Sequence, residues 1–310
     1  MERLLQEFPE DLRLVYRHFP LNSHDKAAIS TQAAEAAGLQ GKFWEMHDLL
    51  FAERDAWVNL SVSDFEQWVT DKAEELGLDA QQFSSDLNSA DLVEFSKEAF
   101  EKNSAIGMPG TPFLMVNGRY YNSRMDYDNI KALVNIMLLE SKQFSDCPPM
   151  TIDQSKQYFA VLKTEKGDVK IELFADKAPL AVNNFIFLAQ QGWYDGVTFH
   201  RVLPEFVAQA GDPSGTGFGG PGYAFINEIS PDLKFDDAGV VAMANAGPDS
   251  NGSQFFITYA AAPQLDGGYT IFGRVISGMD VVEELTPRDP AETLNLPPGD
   301  KILGVTIEEQ

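Results

Sequence analysis

Residues 199–209 read FHRVLPEFVAQ, and residues 245–258 read NAGPDSNGSQFFIT. Both stretches look like strands, yet they combine Arg201, Gln209, Asn245 and Gln254 with Phe206, Val207 and Phe256. Taken singly, a strand arginine is usually a surface charge and a strand phenylalanine usually belongs to a core. Taken together, they supply one permanent cation with a planar fork, a glutamine able to hold that fork, and apolar rings to floor a pocket. No nucleophile and no evident base accompanies them. Such a site can bind an amide and press on it without making a covalent bond. Because neighbouring side chains on a strand face opposite sides, an Arg201 in a groove sends His200 to the interior, as a satisfied core histidine.

Outward from these segments, the second half of the chain is mostly strand. YFAVLKTEKGDVKIELF predicts two strands around a turn at Glu165-Lys166-Gly167-Asp168. APLAVNNFIFLAQQG predicts a helix with Pro179 in its first turn and Gly192 after its end, and a shorter helix is expected from Met279 to Leu285. Many short strands with turn signals suggest a closed or sandwiched antiparallel sheet.

The first half is mostly helix. HDKAAISTQAAEAAGL, GKFWEMHDLLFAERDAW and SVSDFEQWVTDKAEELGL each carry helical spacing, with Gly38 and Gly77 as C-terminal stops. DLRLVYRHF reads as a strand, and PFLMVNGRYY as a hairpin turning at Asn117-Gly118. The helical run IKALVNIMLLES precedes a seam at SDCPPMTIDQSKQ, where Pro148 and Pro149 stiffen the passage. This divides the 310 residues into a first domain over 1–144, a linker over 145–156 and a second domain over 157–310.

Composition narrows the functions. The chain is 44% hydrophobic, enough for a core, and no window approaches the roughly 18 apolar residues of a membrane span. A net charge of −24 repels phosphate backbones, so no nucleic-acid partner is expected; acidity serves solubility, and basic clients are the class it would attract. Cys147 is the only cysteine, a linker thiol, so neither an internal disulfide nor a cysteine-rich metal site is available. His18, His24, His47 and His200 are well separated and show no strong ligand spacing, so no metal is expected. GTGFGG at 215–220 matches G-x-G-x-x-G, but Pro221-Gly222 follows where a dinucleotide site needs a helix, and no Lys-Ser/Thr pair follows for a P-loop. No cofactor is expected. MERLLQEFPEDLRLVYRHF lacks the basic-then-apolar pattern of a signal peptide, so the chain as given carries no address.

FHRVLPEFVAQAGD, MANAGPDSNGSQFFIT and QLDGGYTIFGRV resemble, in order and spacing, the signature segments of the cyclophilins, the peptidyl-prolyl cis–trans isomerases or rotamases. The likeness covers about residues 157–309. It implies an eight-stranded antiparallel β-barrel capped by two helices, with the active groove on its outer face and proline-containing or unfolded protein clients as substrates. Carried over by position, the resemblance makes Arg201 the catalytic arginine and Gln209 its supporting glutamine. Phe206, Phe256 and Leu265 fall in the proline pocket, Ala244, Asn245 and Ala246 on the segment whose backbone pairs with substrate, and Gln254 on a further groove position. Val207 stands where a methionine is common, Gln264 where a tryptophan is associated with tight cyclosporin binding, and Tyr269 where a histidine is frequent. Weak cyclosporin binding follows from the second of these.

Amide physics supplies the mechanism. Rotation about the C–N bond meets a barrier of roughly 18–20 kcal/mol, so uncatalysed X–Pro exchange takes tens to hundreds of seconds. In the perpendicular state conjugation is lost and the prolyl nitrogen regains its lone pair. A guanidinium that donates to that nitrogen, or to the proline carbonyl, binds the twisted state best. A gain of about five decades needs roughly 7 kcal/mol. One charge-assisted hydrogen bond is worth about 1.5–3 kcal/mol, so a dry apolar pocket must supply the rest.

GMPGTPFLMVNGRYY, with LVYRHFPLNSHDKA and GLQGKFWEMHDLLF, resembles thioredoxin-fold proteins of the DsbA-like kind over about residues 2–140. This implies a cis bond at Thr111-Pro112 and an extracytoplasmic setting, in the cell envelope or periplasm. The fold class is therefore multidomain α+β: an incomplete thioredoxin-like α/β domain with a helical insertion, then the cyclophilin barrel. The family's first strand and Cys-X-X-Cys helix are missing before residue 1, which is expected to expose Leu12, Leu14 and Val15. Two alternatives stay open beside the isomerase: a non-catalytic chaperone module gripping X–Pro segments, and a thiol–disulfide oxidoreductase fusion whose cysteines lie upstream.

Overall fold

The computed structural model describes residues 1–291 and 296–310. Contacts divide the chain into two units, Met1–Met125 and Asp126–Gln310.

In the first unit the helices are α1 (Glu2–Glu7), α2 (Ala27–Leu39), α3 (Phe43–Ala52), α4 (Arg54–Trp57), α5 (Val62–Glu75), α6 (Ala80–Leu87) and α7 (Ala90–Ala105). Ser61, Asp79 and Ser89 accept a backbone N–H at the starts of α5, α6 and α7, which satisfies donors a helix cannot pair internally. Ala33, Ala37, Met46, Phe65, Val69 and Phe83 form the shared core of these helices; the alanines let α2 approach its neighbours closely. Gly77 reverses the chain after α5 as its position predicts, whereas Gly38 is helical and the turn after α2 comes at Gly41. The hairpin forms as β1 (Met115–Val116) and β2 (Arg119–Tyr120). Asn117 and Gly118 both take positive φ, 46° and 77°, as a two-residue hairpin loop requires. The Thr111–Pro112 bond is cis.

DLRLVYRHF does not form the expected strand: residues 12–20 carry no ladder. Its apolar alternation is present, since Leu12 and Leu14 are half-buried while Arg13 and Val15 point outward. A strand also needs a neighbour to exchange hydrogen bonds with, and among the described residues this segment has none. Of the three residues expected to be exposed, only Val15 is, at 61%.

The second unit begins earlier than the expected boundary. Helix α8 (Tyr127–Glu140) buries Leu139 in the core of this unit. The segment read as a linker is tied to the same unit. Phe144 donates its N–H to Pro221, its ring packs on Phe187 and Trp193, and Asn183 holds both Pro149 and Thr151. A phenylalanine with rings to pack on gains too much from burial to remain in a free connector. Cys147 is exposed and lies on this bound segment.

Strands β3 (Tyr158–Thr164), β4 (Gly167–Leu173), β5 (Arg201–Leu203), β6 (Val207–Ala210), β7 (Val240–Met243), β8 (Phe255–Thr258), β9 (Ile271–Ser277) and β10 (Ile302–Glu309) form one antiparallel sheet. Its order is β10-β3-β4-β9-β7-β8-β6-β5. The sheet curls until residues 196–199, just before β5, meet its far edge. Gly196 donates to Ile302 at 2.8 Å, Ile302 to Val197 at 2.8 Å and Phe199 to Asp300 at 2.9 Å. These bonds satisfy edge groups that an open sheet would leave bare.

Side-chain alternation then makes two apolar clusters. Leu162, Ile171, Val202, Ala208, Val241, Phe255 and Ile257 face the barrel interior. Helix α9 (Pro179–Gln190) drives Phe185 against Tyr194, Phe255 and Phe272, and α10 (Met279–Glu283) adds Val282. The alternate residues Val207, Val240, Ala242, Phe256 and Ile271 face outward and form the second cluster. The N-terminus of α9 has no cap of its own; the Glu228 carboxylate accepts from Leu180 and Ala181 at 3.0 and 2.9 Å.

Candidate active site

The outward cluster positions the site. Pairing places Arg201 opposite Gln209, Gln209 opposite Phe256, Phe256 opposite Ala242 and Ala242 opposite Ile271. One row of side chains therefore crosses five strands on the same face. Arg201 and Phe256 are two strand spacings apart, about 10 Å. A one-residue slip in β5 or β6 would turn the row into the barrel.

At one end of the row is a cation. The β5–β6 connection reverses within three residues, with Glu205 at φ 66°, and this returns Phe206 to Arg201. The guanidinium carbon lies 5.9 Å from the Phe206 ring centre. Among the described residues no carboxylate pairs with Arg201, although acidic residues outnumber basic ones by 47 to 23. Arg201 is half-buried, and among the described residues no acceptor is bonded to its guanidinium.

At the other end is an apolar slot. Phe256 stacks on Phe235 at 5.8 Å and meets the edge of Tyr269 at 5.4 Å. Val207 is buried in its floor, and Leu265, on a 3₁₀ turn at Pro263–Leu265, packs at its side. Gln264, next to it, is exposed.

Residues 244–254 are a loop between β7 and β8 rather than part of a strand. Ala244 donates to Gln254 O at 2.9 Å, Asn245 Nδ2 to Gly268 O at 3.1 Å, and Ala246 to Ser250 Oγ at 3.0 Å. These bonds hold the segment and leave the backbone groups of Asn245 unengaged within the described residues. Gln209 does not hold the arginine fork directly. Its Nε2 donates to Gln254 Oε1 at 2.9 Å.

The structure thus brings Arg201, Phe206, Val207, Gln209, Gln254, Phe256, Leu265 and Tyr269 to one outer face. Thr111 and Pro112 belong to the first unit and are not part of it. Sequence reading missed Phe235, which is fully buried against Phe256. It lies in the irregular stretch DLKFDDAGV, where no periodicity marks it. His200 faces inward as expected and is 2% exposed, but it is not satisfied: neither ring nitrogen has a partner among the described residues. Burial pushes its pKa down to about 4.

Residues 159–307 match the profile of the cyclophilin type peptidyl-prolyl cis-trans isomerase family. Peptidyl-prolyl cis-trans isomerase-like 1 of Rhizopus delemar is 52% identical over 134 residues, 42% of this chain and 81% of that protein. The chain belongs to the cyclophilin-type peptidyl-prolyl cis-trans isomerases. The Schizosaccharomyces pombe isomerase ppi1 is 54% identical over 127 residues, 40% of this chain and 82% of that one. A solved cyclophilin-type isomerase of Cryptosporidium parvum is 39% identical, covers 49% of this chain and 98% of its own, and has a TM-score of 0.45. Residues 3–135 match the thioredoxin profile, so a thioredoxin-like domain precedes the cyclophilin domain. The activity of the second unit is the cis–trans isomerisation of X–Pro bonds.

Proposed function

We propose that the outward row is the catalytic groove, with Arg201 as the catalytic cation. The observation that carries this is a guanidinium with no ion partner beside an apolar cluster that lies outside the barrel core. The proline ring sits in the slot of Phe206, Val207, Phe256 and Leu265, with Tyr269 as its rim. The peptide backbone runs along Ala244, Asn245 and Ala246, where the free groups of Asn245 meet it, and Gln209 and Gln254 line the polar side. As the C–N bond twists, the prolyl nitrogen becomes an acceptor and Arg201 donates to it or to the proline carbonyl. Water excluded by the slot strengthens that contact. The slot also holds one end of the peptide still while the other turns.

Arg201→Ala removes one charge-assisted hydrogen bond and is expected to cost about tenfold to a hundredfold in kcat/KM. Its melting temperature should stay near wild type, because the side chain makes no ion pair to lose. Proline-limited refolding of a test protein reads the rate, and wild-type acceleration by this variant overturns the assignment.

Proline-containing, unfolded protein clients are the proposed substrates, and assistance to folding the role. Exposed Gln264 lacks the flat apolar area of an indole, so cyclosporin should inhibit weakly; nanomolar inhibition of the refolding assay would contradict this. The DsbA-like resemblance supports an extracytoplasmic setting, which cell fractionation with an antibody to this chain tests.

A further inference from the structure

The polar side of the groove is anchored on a residue outside it. Asp212 follows β6 by two positions and is fully buried. Its Oδ1 accepts from Ser214 N at 2.8 Å and Ser214 Oγ at 2.7 Å. Its Oδ2 accepts from Thr216 N at 3.1 Å, Thr216 Oγ1 at 3.2 Å, Gly217 N at 2.7 Å and Gly219 N at 3.0 Å. The glycine-rich loop thus points the amides of Thr216, Gly217 and Gly219 at a carboxylate of the same chain.

Gly217 and Gly219, whose N–H groups are held by Asp212, turn their carbonyls to Gln254. The Gln254 Nε2 donates to Gly217 O at 3.0 Å and to Gly219 O at 2.8 Å. A primary amide has two N–H donors, and both are engaged. The Gln254 oxygen must then face β6, where it accepts from Gln209 Nε2. Reversing Gln254 would set its oxygen against two carbonyl oxygens. The Gln209 amide is consequently held in one of its two flips, with its own oxygen open beside Arg201. The directions in this series follow from the groups themselves: backbone and side-chain amide nitrogens donate, and the carboxylate and carbonyl oxygens accept, while Asp212 fixes where the loop carbonyls sit.

We propose that Asp212 is a positioning residue for isomerisation, acting through Gly217, Gly219 and Gln254 to set the orientation of Gln209. This rests on the assignment of Arg201 and Gln209 to the catalytic groove. Asp212→Asn places an NH2 group among amides that need an acceptor. It is expected to lower kcat/KM by about tenfold, mainly through kcat, the size of one lost charge-assisted bond. Gln254→Glu cuts the same series from the other end without touching Asp212, because an acceptor-only side chain cannot serve two carbonyls, and should give a similar loss. The double variant should lose no more than either single one, since both break a single series. In NMR spectra the Gln209 side-chain amide resonances should move in each variant.

Full losses that multiply in the double variant would mean that Asp212 acts only through general stability, and would overturn the proposal. Where Asp212→Asn does not fold, Gln254→Glu alone decides, and wild-type kcat/KM in it overturns the relay. Arg201→Ala separates the two readings. If Arg201→Ala is impaired while Asp212→Asn and Gln254→Glu retain full activity, the relay fails and the groove stands. If Arg201→Ala turns over like wild type, the groove assignment itself fails.

Discussion

Arg201 and His200 are adjacent, yet the pleat gives them opposite environments. The arginine reaches the outer groove, and the histidine is enclosed by protein. Burial dominates the fall of the His200 pKa from 6.5 to about 4; the Asp212 carboxylate opposes it, and Arg288 and Arg201 add to it. Between those two values the unfolded chain binds a proton that the folded chain refuses, so stability rises with pH and is lost as pH falls from 6.5 toward 4. That interval corresponds to about 3 kcal/mol for a single group. Urea unfolding at pH 7 and pH 4.5 should show the loss, and His200→Leu should flatten it. An unchanged pH slope in that variant would exclude His200 as its source. At this scale Arg201, Gln209, Phe206 and Phe256 were legible because a cation, an amide and aromatic rings in strand context form an unusual set. Phe235 and Asp212 were not, since Phe235 packs on a ring distant in sequence and Asp212, whose own bonds are local, reaches Gln254 only through the carbonyls of Gly217 and Gly219.

Among the elements, α9 shows how a loop and a helix are joined. Its first turn depends on Glu228, whose carboxyl pKa is raised by burial although two backbone amides favour its charge. Glu228→Ala should destabilise the protein by about 1 kcal/mol, the usual worth of a helix N-cap. In a unit of this size that is a fall of roughly 2–4 °C in Tm, read by calorimetry. An unchanged Tm would show that water replaces the carboxylate at no cost. Helices α2, α3, α5 and α9 and the Asn117-Gly118 hairpin were legible because their signals are local: apolar spacing, turn residues and a proline at a first turn. Residues 11–19 were misread as a strand because alternation records which side chains are inward and says nothing of an edge partner. Residues 145–156, expected as a linker, are bonded to Asn183 through Pro149 and Thr151, contacts that two prolines and small polar residues do not announce in sequence.

At the scale of the whole molecule, charge governs encounter. With a net charge of −24, basic X–Pro peptides should show a higher kcat/KM than acidic ones of equal length at low salt. The difference should shrink as the screening length falls to about 3 Å near 1 M salt. Isomerase assays on a matched peptide pair test this, and a ratio independent of salt would place the preference in direct groove contacts. The sequence by itself determined the periodicities, the turns, the family of the second unit and the residue types of its groove, because these are carried by neighbours a few positions apart. Only the tertiary structure decided which strands meet, where the second unit begins and which way each amide in the groove points. Those outcomes depend on partners far along the chain: Gly196–Phe199 against Asp300–Ile302, Phe144 against Trp193, and Asp212 through Gly217 and Gly219 to Gln254. Packing and hydrogen-bond satisfaction choose among such pairings, and neither is a property of any short stretch of residues.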